Sequence, residues 1–438
     1  MLPYIEVARA LEAVRREERR DDKAEAVASL LRSMLPEMLR PAARLLSGRL
    51  WPPWESREMG IGPEILGEVI GELSGRGRSA ESEGSDLGDL AFMMVQRRSQ
   101  QTLTSSSTDA HQVYDSLRQI SDQRGPGSLS RKKSILKGLL LNATPLEAKY
   151  IARTVLGRMM VGLGPSLMAD AIGKAFSVEA AQVERAYALL PDFGIVALSA
   201  YRGEIFEVKL APPNPARFML FGQNRGQDFP IRMEGKAAYS VRYGGLRVQV
   251  HKLNDQVFIY TSQLRNVTSP LDDLAEEVMR IKGNFIMEGE FLLVHGGGIS
   301  PRSDMVGRIN LKGRSKDLAT PSFAASDLLY LDGREMIDEG YGERRRLLSR
   351  WLKGVAGEPL SSKVFLAEEK VSCDPDEVME LLRWSLDRGF GGLIMRHLDG
   401  RYTPGSRSRA DVLISHIHGT IPGPHGRSRI VLGHPSGD

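Results

Sequence analysis

Through the first two hundred residues, apolar positions recur three and four apart, as in AEAVASLLRSMLPEMLRPAARLL, SILKGLLLNA and LEAKYIARTVLGRMM. This spacing predicts amphipathic helices with no intervening strand. Thr144 can cap a helix, Pro145 suits its first position and Glu147 completes a Thr-x-x-Glu capping box, so a helix is expected from Pro145 to about Gly162. Gly162 and Gly164 permit a left-handed turn and Pro165 starts PSLMADAIGKAF, which together predict a helix hairpin. Polar, glycine-rich runs at Ser74–Gly84, Thr104–Thr108 and Arg124–Ser128 read as exposed loops.

From Glu204 the period changes. EIFEVKL, SVRYGGLRVQVHK, QVFIYTS and NFIMEGEFLLV alternate or run apolar with β-branched and aromatic residues, which predicts strands. Asn254 and Asp255 sit between two of them as a hairpin turn. Helical segments intervene at LDDLAEEVMRI, ERRRLLSRWLKGV and DPDEVMELLRWSLDR. The expected architecture is multidomain: an all-helical domain over residues 1–203, an α+β domain with an antiparallel sheet over 204–415, and a flexible tail over 416–438.

A length of 438 residues agrees with two folding units, and 41% apolar with 26% charged residues argues against wholesale disorder. The net charge of +4 is small, but arginine-rich clusters (RRDD, RGRS, SRKK, GSRSR) suit either phosphate contact or plain solvated charge. One cysteine, Cys373, excludes an intramolecular disulfide or a Cys-rich metal site and fits a reducing compartment. No apolar run is long enough to span a membrane, and the amphipathic start MLPYIEVARALEAVRREERR is not a signal peptide, so a cytoplasmic location is expected.

Three stretches of the helical half, GRLWPPWESREMGIG, GSDLGDLAF and NATPLEAKYIARTVLGRMMVGLGPSLMADAIGKAF, resemble the DNA-binding domain of ATP-dependent DNA ligases of the archaeal and eukaryotic replicative type. YGGLRVQVHK, FIMEGEFLLV, SDLLYLDG, the ERRRLL helix and GGLIMRHLDGRYTPG then follow in the order of that family's nucleotidyltransferase domain. The resemblance implies binding of double-stranded or nicked DNA, gripped in the minor groove by the element around Gly162–Pro165. There, backbone N–H groups and a positive helix end make a phosphate site. Arg153, Arg158, Gly162, Gly164 and Lys174 are the candidate DNA contacts; a purely structural hairpin is the alternative.

The same resemblance exposes losses. The family's nucleophile is the lysine of a Lys-x-Asp-Gly motif, which attacks the α-phosphate of ATP. Here the sequence reads Arg242-Tyr243-Gly244-Gly245, and an arginine stays protonated with no lone pair to offer. The adenine-stacking aromatic corresponds to Ser326, the glutamate of the fourth motif to Gly391, its lysine to Arg396, and the Trp-Leu-Lys-x-Lys motif to Asp411–Ser415. Arg247, Glu288 and Glu290 remain, the glutamates as either metal or ribose organisers or as structural groups. The family continues into an OB-fold, for which residues 416–438 are too short. The chain is identified as a degenerate member: a DNA-binding protein without a lysyl-adenylate, no metal site and no cofactor.

An active but divergent ligase, using ATP and Mg²⁺ or a pre-adenylated end, is the alternative. A scaffold for replication or repair proteins is the second, although no clamp-binding peptide stands out. Lys236 and Lys252 flank the first motif but are displaced along or beyond the strand by about 3.3 Å per residue. His416 and His418 would share a strand face, yet with His425 and His434 amid Gly and Pro and no cysteine nearby they make a poor zinc site. HGGGIS lacks the strand, the Gly-Lys pair and the helix of a phosphate loop.

Overall fold

The computed structural model describes residues 2–73, 86–97, 108–222, 236–311, 319–414, 416–422 and 428–433. The loops expected at Ser74–Gly84 and within 104–107, and two of the tail histidines, His425 and His434, lie outside the described residues. The chain divides into two compact units, residues 1–208 and 209–438.

The first unit is helical throughout its described residues, from Tyr4–Arg16 to Phe193–Arg202. Its helices bury the residues that recur at three and four spacing: Val7, Leu11 and Val14 in the first, Val27 and Leu31 in the next, and Val113, Leu117 and Ile120 in Ala110–Asp122. Thr144 and Glu147 form the reciprocal capping box, and Pro145 occupies the first turn of Pro145–Val155. That helix stops seven residues short of the expected Gly162, because Gly157 supplies a left-handed conformation (φ +65°). The N–H of Arg158 then donates back to Arg153 O at 3.0 Å, closing the end with a Schellman-type bond.

EIFEVKL does not form a strand. Gly203 (φ +73°) ends the preceding helix, and Ile205–Glu207 is a single 3₁₀ turn whose Ile205 packs into the helical core while Phe206 is exposed. Among the described residues no neighbouring strand offers this short alternating run a ladder.

The second unit holds the strands β1 (Leu220–Gly222), β2 (Ala237–Val241), β3 (Leu246–Leu253), β4 (Gln256–Thr261), β5 (Phe285–His295), β6 (Gly298–Ile299), β7 (Thr320–Leu331), β8 (Arg334–Glu335), β9 (Val364–Leu366), β10 (Glu369–Ser372), β11 (Leu393–His397), β12 (Arg407–Ile414), β13 (His416–Pro422) and β14 (Ser428–Gly433). One sheet has the order β4-β3-β5-β7-β8, with β6 on β5 and β9 on β7; a second has the order β1-β12-β11-β2-β10. β5 is central and buried over nearly its whole length, its apolar runs Phe285–Met287 and Phe291–Val294 flanking Glu288, Gly289 and Glu290. β3 and β4 pair through Leu253 and Gln256, and Asn254 takes φ +51° in the two-residue turn. HGGGIS is the β5–β6 hairpin, with Gly296 and Gly297 both at positive φ. SVRYGGLRVQVHK is two strands of different sheets, broken at Arg242–Gly245. Where a flexible tail was expected, the backbone of β13 and β14 forms an antiparallel ladder with an irregularity between Ile417 and Gly419.

Candidate functional site

Because β2 belongs to one sheet and β3 to the other, the connection Arg242–Gly245 crosses between them and lies at the mouth of a cavity of about 340 Å³. One wall comes from β1, β2, β11 and β12, and the other from β3, β5 and β7. Arg242, Arg247, Glu290, Ser326 and Arg396, which sequence reasoning gathered from four separate segments, all line it. Gly244 and Gly391 stand directly behind Arg242. Gly244 has φ +83°, and a Cβ there would lie 3.9 Å from the Gly391 nitrogen.

The loop is held by Glu290. Its two carboxylate oxygens accept the N–H of Gly245 at 2.6 Å and of Tyr243 at 3.2 Å. Burial pushes the Glu290 carboxyl above the ordinary carboxylate range, while the Gly245 N–H and the nearby Arg242 charge pull it back. Gly245 is required sterically, since a Cβ would come within 2.5 Å of both Phe291 O and Leu292 Cδ2. Tyr243 points the other way and packs edge-on against Phe365. Glu288 is likewise committed: it pairs with Arg247 at 2.7 Å from Nε and accepts the Tyr402 hydroxyl. Its strand oxygen accepts the Ser326 hydroxyl at 3.2 Å. Both surviving glutamates of the third motif are therefore structural in this arrangement.

Arg396 is buried. Its Nη1 donates to Ser240 Oγ at 3.0 Å and Tyr341 Oη at 3.3 Å, and its Nε finds no partner. Asp411, in the strand aligned with the fifth motif, is pushed up to about 6 by burial, against the pull of Arg396. Leu413, at one of that motif's lysine positions, lines the cavity; Ser415, at the other, is outside the described residues. Among the described residues that line the cavity there is no lysine. Lys236 is exposed ahead of β2, and Lys252 is tied down elsewhere, donating to Met279 O at 2.8 Å and to Ile281 O.

Sequence reasoning missed Phe221 and Arg302, and marked Arg407 only as part of the GSRSR cluster; all three also line the cavity. Phe221 lies with the guanidinium carbon of Arg247 4.4 Å and that of Arg396 5.8 Å from its ring centroid. Arg302 donates to Gly245 O at 2.8 Å. Strand pairing brings in Phe221 and Arg407, β1 running parallel to β12, whereas Arg302 comes from the first residue of the helix Arg302–Asn310.

In the helical unit the five candidate DNA contacts separate. Arg158, Gly162 and Gly164 are exposed on the connection before Pro165–Phe176, and Gly162 has φ +75° with open space around it. Gly164, at φ −78°, is the N-cap rather than a second left-handed residue. Arg153 is not available to phosphate: it is 4% exposed, ion-paired with Asp86 and bonded to Met159 O at 3.2 Å. Lys174 lies in the last turn of Pro165–Phe176, at the opposite end of the helix from the loop, and pairs with Asp21 at 2.6 Å.

A family model described as "DNA ligase N terminus" matches residues 3–173, and one described as "ATP dependent DNA ligase domain" matches residues 227–412. The DNA ligase of Thermococcus fumicolans is 33% identical over 404 residues, spanning 88% of this chain and 71% of that protein. The chain belongs to the DNA ligase family. The DNA ligase of Methanopyrus kandleri is 31% identical over 437 residues, 95% of this chain and 77% of its own length. A solved structure described as "Pmar-Lig_PreS3" shares the fold over 94% of this chain and 78% of its own, with a TM-score of 0.58 at 11% identity. A helical part followed by a nucleotidyltransferase-type sheet domain is thus the family's arrangement, and no described helix is long and apolar enough to cross a membrane.

Proposed function

We propose that this ligase-family chain binds double-stranded or nicked DNA through its helical unit, in replication or repair, and forms no lysyl-adenylate. The observation that carries the second half is Arg242. It stands in the cavity at the position the resemblance gives to the family's nucleophile, with no lysine among the described lining residues. A guanidinium cannot deprotonate to attack phosphorus, and Ser326 and Gly391 remove the adenine platform and the carboxylate as well. Support for DNA binding is the exposed connection Arg158–Gly164 at the N-terminus of Pro165–Phe176, where backbone N–H groups and the helix dipole favour a phosphate.

Incubation with α-labelled ATP and Mg²⁺ tests the chemistry. No acid-labile phosphoramidate on the protein is expected, and a stoichiometric adduct on any lysine would refute the reading in favour of a divergent active ligase. Titration against intact and nicked duplex at several salt concentrations tests binding. Affinity should fall steeply with salt, and salt-independent or absent binding would leave a scaffold for other proteins as the better reading.

A further inference from the structure

The connection that follows Pro145–Val155 alternates in burial from one residue to the next. Met159, Val161 and Leu163 turn inward against the helical core, and Arg158, Met160, Gly162 and Gly164 face out. The residues on either side of Met160 are fixed. Met159 lies against Gly48, where a Cβ would collide with its Cγ, and its carbonyl accepts Arg153 Nη1 at 3.2 Å; Val161 is buried. Anchored on both sides, Met160 projects outward, 65% exposed, with its backbone in the left-handed region at φ +54°. Both features are unfavourable for this residue type, because a left-handed backbone crowds any Cβ and an exposed thioether chain leaves apolar surface in water. Glycine at this position would carry neither cost.

We propose that Met160 is an apolar wedge that enters the minor groove of a bound duplex and opens a base step there. The inference rests on the proposed binding of DNA by the helical unit and adds to it a contact that is not electrostatic. The neighbouring residues suit that ligand. Gly162 and Gly164 present bare backbone with open space where a Cβ would stand, so a groove wall can come close. Arg158 and Arg49, the latter next to Gly48, are exposed, and neither guanidinium has a hydrogen bond or ion pair among the described residues. Two uncommitted cations near one apolar side chain match a groove whose rims are phosphates and whose floor is base edges, whereas an apolar protein partner would leave both charges unanswered. Methionine, unbranched and polarisable, adapts its shape to a partly opened step. A wedge meets least resistance where the stack is already weak, so a duplex with a mispair should be preferred to a fully paired one.

The test is anisotropy titration of the full chain with a matched duplex and with the same duplex carrying one central mispair, each at several salt concentrations. A fluorescent adenine analogue beside the mispair reports unstacking. The wild-type chain should bind the mispaired duplex at least about fivefold more tightly and brighten the analogue as the step opens. Met160→Ala should lose the preference and the brightening, and bind about tenfold more weakly at every salt concentration with the salt slope unchanged, the scale of one apolar side chain no longer buried. Met160→Leu, which keeps an apolar tip, should retain both signals. A wild-type chain that does not distinguish the two duplexes overturns the wedge. So does a Met160→Ala protein that binds like wild type or loses affinity only through the salt slope, or a leucine variant as weak as the alanine one. Absence of binding to either duplex would refute the proposed function itself, and the inference with it, so the two failures are distinguishable.

Discussion

Arg242 lies across Gly391. A Cβ on Gly391 would sit 3.4 Å from Cγ, Cδ and Nη1 of Arg242, and the two backbones are tied by the Gly391 N–H donating to Arg242 O at 2.7 Å. The residue at the family's lysine position thus covers the residue at its glutamate position, and the arginine occupies space that a longer side chain at 391 would contest.

Restoring one partner should therefore not restore chemistry. Arg242→Lys is expected to show no adenylate above the wild-type background in the labelled-ATP assay, because Gly391, Ser326 and Leu413 still withhold the other groups. Robust labelling of that single variant would show that the lysine was the only missing part.

Arg153 and Arg158 should behave oppositely. Arg153→Ala removes a buried partner of Asp86 and is expected to cost the helical unit about 3 kcal/mol in denaturant unfolding. Arg158→Ala, at an exposed site, should leave stability within about 0.5 kcal/mol. It should lower DNA affinity about equally for all sequences and reduce the salt slope by about 1. An Arg158→Ala protein with unaltered salt dependence would remove that residue from the interface.

At Gly289 the backbone of β7 leaves no room for a side chain on β5. A Cβ there would lie 2.1 Å from Ala324 O, on backbone that cannot swing away. Gly289→Ala should destabilise the sheet domain by about 3 kcal/mol, read as a lower urea midpoint. A loss under about 1 kcal/mol would mean that the strands separate easily.

His251 is buried with no acid beside it, and burial lowers its pKa from 6.5 to about 3. The folded chain holds this imidazole neutral while the unfolded chain protonates it. Its contribution is therefore fully present above pH 6.5 and is lost as pH falls from there towards 3. The slope of unfolding free energy between about pH 6 and pH 4 should fall by about one proton in His251→Gln relative to wild type. An identical slope in the variant would show that the ring is already protonated in the fold.

Element types were legible where the local pattern agreed with the tertiary environment. The capping box at Thr144 and Glu147, the Asn254–Asp255 turn and the apolar runs of β5 are each specified by short-range stereochemistry or by burial on both faces. EIFEVKL shows the limit, since an alternating run becomes a strand only if another strand lies beside it. Arg153 shows it for charge. Nothing in LEAKYIARTV tells a DNA-contacting arginine from one that locks two helices together, because its partner Asp86 is 67 residues away.

The sequence by itself determined the family, the change from helices to strands along the chain, and the absence of a lysine at position 242, because side-chain identity and local periodicity are carried residue by residue. Only the tertiary structure decided which charges are already spent. Glu288 and Glu290 are consumed by Arg247 and by backbone N–H groups, Arg153 by Asp86, and Lys174 by Asp21, whereas Arg242 and the Nε of Arg396 are not. Pairing of this kind depends on strands and helices distant in the chain meeting at about 3 Å, a distance no spacing in the sequence encodes.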